Sequence, residues 1–85
     1  DDARQRFIRL RSKALALKSS LAELRQRLAS GGMSVNSDAL EAEGNMDSYM
    51  LEADRALQSG DAQIAQTNMD RAEHESKKIS VLFGR

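Results

Sequence analysis

Asp70 and His74 stand four residues apart, so on a helix they share a face and could offer a carboxylate and an imidazole to one cation. A third ligand would have to come from Asp61, Glu73 or another chain, and an exposed ion pair satisfies the same spacing. Two further carboxylate pairs, Glu41 with Glu52 and Asp70 with Glu73, could do acid–base work only if an apolar pocket raised one pKa. No sign of such a pocket accompanies them, and they read as solvated surface. The chain has one histidine, no cysteine and no tryptophan, and it lacks a glycine-rich phosphate loop. No catalytic residue, cofactor, metal or small-molecule substrate is therefore expected, and the chain reads as a non-enzyme.

Four methionines, Met33, Met46, Met50 and Met69, could form an adaptable binding groove. Three of them fall on expected core faces, where they fill gaps between alanines. Tyr49 belongs at the core edge with its hydroxyl reaching water. The remaining candidates for recognition are on the opening segment. There Arg4, Arg11, Lys18 and Arg25 line up beside an apolar stripe of Ile8, Leu15 and Ala22.

These side chains are positioned by helices. Phe7, Leu10, Ala14, Leu17, Leu21, Leu24 and Leu28 alternate at spacings of three and four, the seam of a helix packed on other helices. Proline is absent and Ala, Leu, Gln, Glu, Arg and Met dominate, so strands are not expected. The fold class is all-α, an antiparallel up-down-up three-helix bundle with helices at about 3–29, 38–58 and 62–82. At 85 residues it is a single domain, 1–85, with one thin core and no disulfide to reinforce it. No apolar run approaches the ~20 residues that span a bilayer. A start at Asp1 without methionine suggests a processed product or a terminal module of a longer protein, and the compartment stays open.

The first helix is expected to open beside Asp1 and Asp2 and to end with Gly31 as the left-handed residue. Met33 and Val35 are then expected to cap one end of the bundle. The second helix has two candidate caps, a reciprocal box of Asp38 with Glu41 or Ser37. Its apolar face is Ala39, Ala42, Met46, Tyr49, Met50, Ala53, Ala56 and Leu57, and Gly44 implies a close crossing or a bend. Gly60 stops it and Asp61 caps the third helix, whose seam is Ala62, Ala65, Met69, Ala72, Ser76, Ile79 and Phe83. Val81 and Leu82 are expected to thicken the far end.

On the first helix, Ile8, Leu15 and Ala22 lie outside the main seam, across the column of Arg11, Lys18 and Arg25. Either each stripe faces one partner helix, or the second stripe faces another protein or a second copy. The longer first helix is expected to overhang near its N-terminus.

Thirteen basic and thirteen acidic residues give a net charge of zero, but the signs are segregated. Residues 1–30 hold eight basic against three acidic groups, net +5; residues 31–60 hold one against six, net −5; residues 61–85 balance. The basic helix could meet a nucleic acid or an anionic surface. It lacks aromatic stacking residues apart from Phe7, and the chain has no basic excess, so nucleic acid is disfavoured. The alternative is that the acidic helix flanks the basic one and orients the hairpin.

Tyr49, Ala53, Gly60, Asp61, Ala65, Met69 and Ala72 resemble one tetratricopeptide unit, a helix, a Gly-Asp turn and a second helix with small residues at set offsets. That resemblance implies a helical hairpin over residues 49–72. Glu52 stands where the family has an apolar residue and Lys77 where it usually has proline, and no second copy follows. The groove-binding function of stacked repeats does not carry over. Gly60, Asp61, Ala72, Glu73 and the closing Leu82, Phe83, Gly84 and Arg85 are also similar to the ends of bacterial helical domains.

Together these readings point to a non-enzymatic protein–protein interaction or structural module. Arg4, Ile8, Arg11, Leu15, Lys18 and Arg25 are its partner-binding residues, and the partner is another protein or a second copy of the chain. Nucleic-acid or anionic-surface binding through the first helix is one alternative. A self-associating helical assembly is another.

Overall fold

In the computed structural model, residues 2–84 are described. The expected places of Asp1 beside the first helix and of Arg85 in the closing run lie outside them. Three helices follow one another, α1 (Asp2–Ser30), α2 (Ser37–Gln58) and α3 (Ala62–Ser80), with a single 3-10 turn, η1 (Val81–Phe83). No strand occurs among the described residues. The result is the expected all-α up-down-up bundle, 47 Å long and 18 Å across.

Helix formation follows from composition. Ile8 is the only β-branched residue in α1 and α2 contains none, so rotamer restriction opposes neither helix. On α1, Leu10, Ala14, Leu17 and Leu21 are buried and Phe7, Leu24 and Leu28 pack half-buried against them. The seam expected from spacing is therefore the face that α1 buries. On the hairpin, Ala42, Ala53, Ala65, Ala72 and Ser76 are buried among Met46, Met69 and Ile79. Small side chains let α2 and α3 approach closely, while the leucines of α1 hold it further out.

The turns depart from expectation by a residue. Met33 N donates to Leu28 O at 2.8 Å and Gly32 N to Ala29 O at 3.0 Å. This Schellman pattern puts the left-handed residue at Gly32 (φ 74°) and not at Gly31. The same pair of bonds closes α2, from Asp61 N to Ala56 O and from Gly60 N to Leu57 O, with Gly60 at φ 80°. Asp61 then accepts from Ile64 N, so two residues end one helix and cap the next, as expected.

The cap of α2 is Asn36, whose side chain accepts from Asp38 N at 2.7 Å, and neither Ser37 nor an Asp38–Glu41 box serves. Val35 is buried beside it and pins the entry, whereas Met33 is 61% exposed and caps nothing. Gly44 is also corrected: α2 runs through it unbroken, and an added Cβ would meet nothing within 4 Å. No close crossing requires it.

Two further corrections concern the ends. Val81 and Leu82 are exposed, because the tighter 3-10 turn after Ser80 rotates them off the core and leaves only Phe83 packed against it. The overhang of α1 lies at its C-terminal end. Arg6 reaches Gln66 and Asp70, whereas Lys13 and Leu17 lie beside Lys77 and Ser80. Helix α3 is thus spent near the middle of α1, while Ala3 at the start is buried.

Candidate interaction surface

The apolar stripe of α1 points away from its own bundle. Ile8 is 49% and Leu15 59% exposed, and Ala22 is exposed as well. The expectation that each stripe of α1 serves one partner helix is overturned. The single seam of Leu10, Ala14, Leu17 and Leu21 serves both neighbours, since α1 packs against α2 and α3 and these, with Ala3, are its buried side chains.

Between α1 and α2 runs a groove of about 240 Å³. Its floor is the edge of the core, Phe7, Ala14 and Met50. Arg11 and Lys18 rise on the α1 side and Asp47 and Asp54 on the α2 side, with Leu15 and Leu51 as lips. Lys18 Nζ and Asp47 Oδ2 meet across it at 2.8 Å. That hydrogen bond raises the Lys18 pKa above its ordinary value; burial opposes it, and the charges of Asp47 and then Glu43 add to the rise. Arg11 lies over the Phe7 ring, 5.9 Å from its centroid.

The other expected binding residues divide. Arg4 is exposed and donates from Nη2 to Leu57 O at 3.4 Å, placing a cation at the C-terminus of α2 where the helix dipole favours it. Arg25 is exposed on the overhang, away from the groove. Arg11, Leu15 and Lys18 are brought together, and Ile8 continues the Leu15 lip one heptad earlier.

Leu51, at 50% exposure, was not anticipated. Its signal is present in the sequence: Gly44, Leu51 and Gln58 form one heptad column off the core face of α2.

The charge segregation is only partly spent on joining α1 to α2. Arg6 turns to α3, with Nη2 2.7 Å from Asp70 Oδ1 and 3.7 Å from Glu73 Oε2 and Nη1 2.6 Å from Gln66 Oε1. Asp70 is thus an ion-pair partner, and His74 beside it is exposed. Among the described residues no group of three His, Asp or Glu side chains could hold a metal ion. No described helix is long and apolar enough to cross a membrane.

Glu75, the one buried carboxylate among the described residues, is structural. It accepts from Asn45 Nδ2 on α2 at 3.0 Å and meets Lys78 Nζ at 2.9 Å. The Lys78 and then the Asn45 hydrogen bond hold its pKa below the usual carboxylate value, and Glu75 in turn raises that of Lys78.

No protein-family model matches the chain, and no curated protein or solved structure matches it either. The tetratricopeptide-like segment forms a helical hairpin, α2 turning into α3 at Gly60 and Asp61.

Proposed function

We propose that the chain is a non-enzymatic interaction module that receives a helical partner along the α1–α2 groove. The observation that carries this reading is the position of Ile8, Leu15 and Leu51, three large apolar side chains each about half exposed on the two helices that border one groove. Large apolar side chains in water cost free energy that a partner's apolar face recovers. The basic column of α1 and the acidic column of α2 orient what binds.

The test uses methyl NMR and a synthetic amphipathic helix carrying a leucine stripe between an acidic and a basic column. Leu15 and Leu51 resonances shift on titration, and the Ile8→Glu/Leu15→Glu variant loses the response while keeping its helicity by circular dichroism. A titration that leaves both leucines unmoved refutes the reading. Loss of helicity in the variant would assign Ile8 and Leu15 to the core.

A further inference from the structure

Resting on that reading of the groove, we infer that its occupant is a second copy of the same chain, related by a two-fold axis parallel to the bundle. The argument is charge complementarity at fixed height. Lys18 and Asp47 are in contact across the groove. Because α1 and α2 are antiparallel, seven residues back along one and seven forward along the other reach Arg11 and Asp54 at one common height, about 10.5 Å away.

Two copies can meet groove to groove in two ways. A two-fold across the helices lays α1 on α1 and α2 on α2, like charge on like. A two-fold along the helices keeps every height and lays each α1 on the other copy's α2, so Arg11 meets Asp54 of the second copy and Leu15 meets its Leu51. The interface is isologous and needs no shift in register.

Two features unexplained by the single chain fit this arrangement. Among the described residues Arg11 has no ion pair, and Asp54 accepts only from Gln58. Gly44 serves no internal crossing. It stands at the height of Ala22, so the two-fold sets these small residues against each other and lets the helices draw together beyond the leucines. The whole of that side measures 47 by 18 Å, so an interface of the ~800 Å² per partner that a stable complex buries would need almost its full length.

Sedimentation equilibrium over a concentration series tests this with Arg11→Glu and Asp54→Arg. The unaltered chain is expected to dimerise, and each variant alone to associate about tenfold or more weakly, since it sets two like-charge contacts in the interface. An equimolar mixture of the two variants is expected to recover the dimer, because every contact in the mixed pair is again of opposite sign. A dimer indifferent to both substitutions, or a mixture no tighter than its components, overturns the inference. A chain that stays monomeric throughout also overturns it. In that case the peptide titration above decides the interaction reading separately: shifts at Leu15 and Leu51 retain it with a different occupant, and their absence removes both.

Discussion

Replacing Gly44 with alanine should stabilise the protein, and the size of the gain follows from its surroundings. Gly44 is exposed in the interior of α2 and is not among the glycines with positive φ. A Cβ there meets no atom within 4 Å, so the substitution brings no clash and no strain. What remains is the backbone entropy that glycine loses on entering a helix, about 1 kcal/mol relative to alanine. For a domain of this size that gain raises the melting temperature by about 4–8 °C. Urea and thermal unfolding followed by circular dichroism at low micromolar concentration report on the single chain. A melting temperature unchanged or lowered would refute the reasoning, because it would mean that the backbone at Gly44 is bent or closely approached.

Other outcomes follow from the caps and the buried carboxylate. Asn36→Ala should cost about 1 kcal/mol by urea unfolding, the ordinary worth of an N-cap, whereas Ser37→Ala should change little. The reverse order would return the cap to Ser37. Glu75 has a folded pKa below its ordinary value of 4.5, so the stability it contributes is present above that value and is lost as pH falls through the lower folded one. Thermal melts from pH 7 to pH 3 should therefore show the unaltered protein losing more stability than Glu75→Gln, and parallel curves would contradict the assignment.

The parts of the fold legible in the sequence are those set by repetition. The seam from Phe7 to Leu28 repeats over almost the whole of α1, so its phase is determined many times over and the buried face of the helix follows from spacing. The alanine and methionine faces of α2 and α3 are legible for the same reason, apart from Ala62, which the first turn of α3 leaves exposed. Single-residue events are not. Asn36, Ser37 and Asp38 can each cap a helix, and the choice falls to Asn36 because burial of Val35 fixes where the chain enters α2. Gly31 and Gly32 are equivalent in sequence, and the bond from Met33 N to Leu28 O decides between them.

Glu75 was invisible as a core residue because the groups that compensate its burial, the Asn45 amide and the Lys78 cation, come from two helices. On the surface, the α1 half of the groove was readable from the stripe of Ile8 and Leu15. The α2 half was not, because Leu51 is isolated in sequence and its role depends on which column of α2 lies beside α1. Arg25 shares the charge column of Arg11 and Lys18 but lies on the part of α1 that α3 does not reach.

Thiol labelling tests the central claim most directly, that α1 docks on its own hairpin with Leu17 inside and Leu15 outside. The chain has no cysteine, so Leu15→Cys and Leu17→Cys each introduce a single reporter. At low micromolar concentration Leu15→Cys should react as fast as a free thiol, and Leu17→Cys at least about a hundredfold more slowly, because its modification waits on opening of the bundle. Equal rates at the two positions, in variants that remain helical, would mean that α1 stands away from the hairpin and would contradict the account.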